Sequence, residues 1–140
     1  MPIRLTTPQA ESNRMTTFYV TIWAEQNGAV VNDRWNYSFG NGNEHRGAGI
    51  NDWGYVTHYP YEIVSMSIGM RTTNTADTTI VVTANGVATP AQLTIVGAQT
   101  KAFGPVVHSG PAGDTLNFQT VENGGANDVV VSLLIKYTLS

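Results

Sequence analysis

From Thr16 the chain alternates: Phe18, Val20 and Ile22 fall on one side of an extended backbone, Tyr19, Thr21 and Trp23 fall on the other, and Asn27-Gly28 follows. A period of two is the strand period, and Asn-Gly is a strong hairpin signal because both residues tolerate positive φ. The pattern predicts a hairpin whose return strand covers residues 29–39, with Trp35, Tyr37 and Phe39 alternating toward the core. A stretch rich in glycine and asparagine from Gly40 to Trp53 is too long for a simple turn and is a candidate functional loop. Further strands are predicted over residues 61–70, 77–84, 91–96, 106–109, 115–121 and 128–139. They are separated by breaker clusters at Asn85-Gly86, at residues 109–114 and at Asn123-Gly124-Gly125. About eight strands without a helical period predict an all-β chain, an antiparallel β-sandwich or jelly roll. Residues 1–15 carry two prolines and no period, and predict an extended N-terminal arm ahead of a domain over residues 16–140.

Two of these strands are apolar on more than one face. In residues 128–139, Val129, Val131, Leu133, Ile135, Tyr137 and Leu139 share one face, and Val130 and Leu134 sit among Ser132, Lys136 and Thr138 on the other. The first strand likewise sets Tyr19 and Trp23 opposite its apolar face. A two-layer sandwich buries only its inner faces, so these outer groups must meet either a covering loop or another subunit. The expectation is a homo-oligomer with Tyr19, Trp23, Val130 and Leu134 at the subunit interface.

Composition narrows the partners. Charged residues make up 12% of the 140, against about 25% in an average soluble domain, while 18 Thr and 12 Asn supply a mostly neutral polar surface. Such a surface suits a β protein that is covered by neighbours or meets sugars. A net charge of −3 with only two lysines, Lys101 and Lys136, gives no electrostatic footprint for nucleic acid or an anionic membrane. No run of 18 apolar residues and no signal-peptide core are visible, so membrane insertion is not expected. With no cysteine, the fold needs a hydrophobic core, and a chain of this length buries roughly 68–70% of its unfolded surface.

Catalytic chemistry finds little support. His45, Asp52 and His58 match no zinc spacing, and His108 reads as a strand-end residue. There is no G-x-S-x-G elbow, and the glycines at 40, 42, 47 and 49 fit neither phosphate-binding pattern. Asp33, Glu44, Asp52 and Glu62 lie near the aromatic region, but nothing sets the separation that glycoside hydrolysis requires. The expectation is a non-enzymatic protein without catalytic residues, cofactor or metal. One concentration stands out: 7 of 13 aromatic residues lie between Trp35 and Tyr61. Rings bury large area at low entropy cost, so Trp53, Tyr55, Tyr59 and Tyr61, in or beside the long loop, are candidates either for ligand or interface contact or for packing under the loop.

The N-terminal arm, the run Tyr37-Ser38-Phe39-Gly40-Asn41-Gly42, the strand over residues 61–68, the segment from Gly110 to Phe118 and the closing apolar strand resemble the small trimeric β jelly rolls of tailed-phage virions. That group holds head decoration (cement) proteins and the distal domains of tail fibres and spikes. The resemblance implies a homotrimer on the outer surface of the phage head, made in the host cytoplasm. Its partner would be the major capsid protein, which it would bind and stabilise in the assembled shell. It also implies that the arm grips the capsid, with Arg4 and Arg14 pairing with shell carboxylates and Ile3 and Leu5 filling small pockets. The tail-tip branch implies instead that Trp53, Tyr55 and Tyr59 meet a host surface glycan.

Overall fold

The structure, a computed structural model, describes residues 16–29, 34–38, 41–42, 45–46, 54–72 and 74–139. They form eleven strands: β1 (Thr16–Ala29), β2 (Arg34–Ser38), β3 (Asn41–Gly42), β4 (His45–Arg46), β5 (Tyr55–Val56), β6 (Tyr61–Met70), β7 (Thr78–Ala84), β8 (Val87–Ile95), β9 (Lys101–Gly110), β10 (Thr115–Glu122) and β11 (Asn127–Leu139). Eight of them build two antiparallel four-stranded sheets, β1-β11-β6-β9 and β2-β10-β7-β8, and a single bridge, Ala24 to Ser38, joins the two. The short strands β3, β4 and β5 pair with β1, β2 and β10. Along the chain, every connection between the eight long strands crosses from one sheet to the other except β7 to β8. That alternation is the jelly-roll connectivity, and the protein is an all-β sandwich.

The core lies between the inner faces. Ile22 and Ala24 of β1, Ile63, Met66 and Ile68 of β6, and Val129, Val131, Leu133, Ile135 and Tyr137 of β11 meet Ile80, Val82, Leu116 and Phe118 from the other sheet. The alternation in β11 thus buries the face that the sequence assigns inward, and its register with β1 runs from Thr16 opposite Leu139 to Gln26 opposite Val129. Strand β7 differs, because Val81 and Thr83 on its other face are as buried as Ile80 and Val82.

Two turns decide the local geometry. Asn85 and Gly86 both take positive φ, 52° and 81°, and close β7 to β8 as a two-residue turn whose twist matches the flanking strands. Asn27-Gly28 does not do this, which corrects the hairpin expectation. Strand β1 runs on through both residues to Ala29, and a bulge between Gln26 and Ala29 absorbs the extra residue against β11, where Asp128 takes φ 52°. The partner of β1 is β11, and β2 belongs to the other sheet, so a tight reversal there would leave β11 without its neighbour. Strand β9 also begins five residues before the predicted start at 106, as an edge strand that accommodates Pro105. The side chains of Trp35, Tyr37 and Phe39 lie outside the described residues, as does the 1–15 arm.

Candidate functional site

The outer face of the β1-β11-β6-β9 sheet carries the site. Side chains on this face fall into rows across the four strands, set by the pairing registers. One row holds Glu25, Val130, Gly69 and Lys101; the next holds Trp23, Ser132, Ser67 and Phe103; then Thr21, Leu134, Ser65 and Pro105; and finally Tyr19, Lys136, Glu62 and Ser109. Small residues, Ser65, Ser67, Gly69 and Ser132, share the middle strands with Val130, Leu134, Lys136 and Glu62, and the Oγ atoms of Ser67 and Ser132 are 2.5 Å apart. The large rings stand at the two rims. Trp23 and Tyr19 line the β1 side at 42% and 57% exposure, and Phe103 and Val107 line the β9 side at 79% and 71%. Strands sit about 4.8 Å apart, so the rims are separated by roughly 14 Å of shallow trough. Lys136 and Glu62 form an exposed ion pair at 3.8 Å, which contributes little at the surface.

Of the interface residues expected from sequence, Tyr19, Trp23 and Val130 are exposed and Leu134 is half-buried beside them. The four make one apolar band along β1 and β11, because Leu134 pairs with Thr21 between the two rings and Val130 lies diagonal to Trp23. Five of the ten large apolar side chains left exposed among the described residues are on this single face. Sequence reasoning did not find Phe103 and Val107. The alternation Lys101, Phe103, Pro105, Val107 was the available signal, and the predicted strand, starting at 106, takes in only Val107 of it.

The aromatic group beside the long loop is arranged differently. Tyr61 is 4% exposed, and its hydroxyl donates to Asp114 Oδ2 at 2.9 Å; it belongs to the core. Tyr55 packs against the core with its hydroxyl 2.6 Å from that of Tyr137. Tyr59 is 42% exposed and meets Phe18 and Tyr137 edge-on, at ring separations of 6.0 and 5.8 Å. Burial, and then the hydrogen bond to Asp114, push the Tyr61 hydroxyl well above the ordinary tyrosine range; burial and the Tyr55 contact do the same for Tyr137. Asp114 gathers further partners: Asn85 Nδ2 donates to its Oδ1 at 2.9 Å, and its own N–H donates to Thr57 Oγ1 at 3.1 Å. This polar knot ties the turns at 57, 85 and 110–114 together across one end of the sandwich and is structural in character. His108 packs beside Tyr61. His58 is exposed, while Asp52, Trp53, Ile3, Arg4, Leu5 and Arg14 lie outside the described residues.

No family model matches the chain, and no curated protein matches it. Among solved structures it is similar to a chain in the acidic stable capsid of Helicobacter pylori bacteriophage KHP30, at 13% identity over 90% of this chain and 94% of that one, with a TM-score of 0.48. It is also similar to a family 35 carbohydrate binding module from Clostridium thermocellum, at 13% identity over 87% and 97% of the two chains and a TM-score of 0.45. The globular domain of zebrafish complement 1qA protein matches at 8% identity over 81% and 94%, with a TM-score of 0.43. These are general likenesses of fold.

Proposed function

We propose that the chain is a structural virion protein, a trimeric decoration protein that binds and stabilises an assembled phage head shell without enzymatic activity or cofactor. The observation that carries this reading is the apolar band of Tyr19, Trp23, Val130 and Leu134, which no described strand or loop of the subunit covers. Such a band needs a partner, and a β surface poor in charge suits a protein that works inside an assembly. The sequence resemblance to virion jelly rolls supplies the kind of assembly. The mechanism is thermodynamic: a trimer that binds assembled shell and not free capsid protein stabilises the shell by mass action, about 2.7 kcal/mol per site at a hundred-fold excess over Kd. Three arms on one trimer raise the effective concentration of each at its neighbouring site.

The test mixes the protein with undecorated shells and follows co-sedimentation and shell melting. Binding with a rise in shell melting temperature is expected, and loss of both after deletion of residues 1–13 from a protein that still forms its oligomer. Full-length protein that leaves shells unbound and their melting unchanged overturns the reading. A glycan-binding tip is the alternative, favoured by the exposed ring of Tyr59 next to His58 and Tyr55. It predicts retention on a glycan array that Tyr59→Ala abolishes.

A further inference from the structure

The trough has two unlike rims, and their residues match in height. Glu25 and Trp23 on the β1 side lie in the same rows as Lys101 and Phe103 on the β9 side. Lys101 and Phe103 are exposed, Trp23 is 42% exposed and Glu25 is half-buried. A closed ring of three or more copies uses heterologous contacts, in which one patch of each subunit meets a different patch of the next. Rotation about an axis along the mean strand direction leaves every residue at its own height. Because β2 and β3 already pair with β1 at Ala24, Glu25 and Gln26, the β9 rim of one copy would meet the outward side chains of the β1 rim of the next, level with them, so that opposite charges and aromatic rings fall together.

Resting on the trimeric reading above, we infer that copies of this chain close into a ring through these two rims, with Phe103 of one copy against Trp23 of the next and Lys101 against Glu25. The occupant of each rim is therefore a second copy of the chain. Charge complementarity argues for it, since the basic member stands only on the β9 side of these two rows and the acidic member only on the β1 side. At about 200 Å² per ring, the exposed fractions of Tyr19, Trp23 and Phe103 leave roughly 350 Å² of aromatic surface open, which contact between the rims would cover. A two-fold axis along the strands, with the two outer faces opposed, sets the same unlike rims level with each other, so the number of copies rests on the trimeric reading above and not on the rim pairing.

The experiment is sedimentation velocity of the full chain over a concentration series, with Glu25→Lys, Lys101→Glu, the double exchange and Phe103→Ala, and circular dichroism to show that each variant is folded. The wild type should sediment at three times 15.1 kDa. Each single charge change should weaken assembly by about ten-fold, the double exchange should restore it to within about two-fold, and added salt should weaken the wild type. Phe103→Ala should dissociate the ring although the ring is exposed in the subunit. A trimer indifferent to all four variants refutes the rim pairing and leaves the trimeric reading standing. A wild type that stays at 15.1 kDa, or stops at a dimer, overturns both.

Discussion

Replacing Asp114 by alanine tests the polar knot that closes one end of the sandwich. The carboxylate accepts from Tyr61 Oη at 2.9 Å and from Asn85 Nδ2 at 2.9 Å. Asn85 is exposed, so water replaces its lost bond at small cost. Tyr61 is 4% exposed, and its hydroxyl would be left inside without an acceptor. A hydrogen bond to a charged group contributes about 1.5–3 kcal/mol, and a stranded buried donor costs about 1–3 kcal/mol, so the expected loss is about 2–4 kcal/mol. For 140 residues the unfolding entropy makes 1 kcal/mol worth roughly 3–4 °C, which places the fall in Tm at roughly 7–15 °C. Thermal melts at fixed protein concentration read it, since oligomerisation makes Tm depend on concentration. Tyr61→Phe in the same background is the control. If the two groups share one bond, the double variant is more stable than the sum of the single losses predicts, by about 1 kcal/mol or more. Additivity within about 0.5 kcal/mol would refute the shared-bond account.

Two further outcomes follow from the interior. Tyr61 and Tyr137 both have folded-state pKa values raised above the ordinary value near 10, so the native state holds protons that the unfolded chain releases. Their contribution is fully present below pH 10 and is lost as pH climbs toward the folded values, so urea melts should show stability falling above pH 10, and less steeply in Tyr61→Phe. Thr120 is fully buried with its hydroxyl unpartnered, so Thr120→Val should stabilise by about 1 kcal/mol in the same melts; a loss instead would show that the hydroxyl has a partner such as a buried water.

Much of the fold was legible because its signals are local. Strand β6 occupies the predicted residues, β11 begins one residue earlier, and the faces of both follow from a period of two. Asn85-Gly86 was recognisable as a turn because the dipeptide itself favours the required φ values. The same logic failed at Asn27-Gly28, since the dipeptide marks backbone tolerance and not the partner: only the pairing with β11, about 100 residues away, decides between turn and bulge. Strand β9 was hidden because its edge position excuses a proline that a central strand would reject. The outer band of Tyr19, Trp23 and Val130 could be read from alternation alone. The opposing rim could not, and neither could the withdrawal of Tyr61 into the core, which depends on Asp114 arriving from a distant turn.

Among the described residues the longest ladder joins the first strand to the last. On the ribosome, β1 is complete when Ala29 has emerged, yet β11 does not exist until about 110 more residues are made, roughly 5–20 s at ordinary elongation speed. Throughout that interval Phe18, Val20 and Ile22 have no cross-strand neighbour, and almost no hairpin in the connectivity offers a local refuge. Nascent chains of this protein should therefore be clients of a holding chaperone until β11 has been made, and yield should depend more on how densely ribosomes are loaded than on the thermodynamic stability of the finished sandwich.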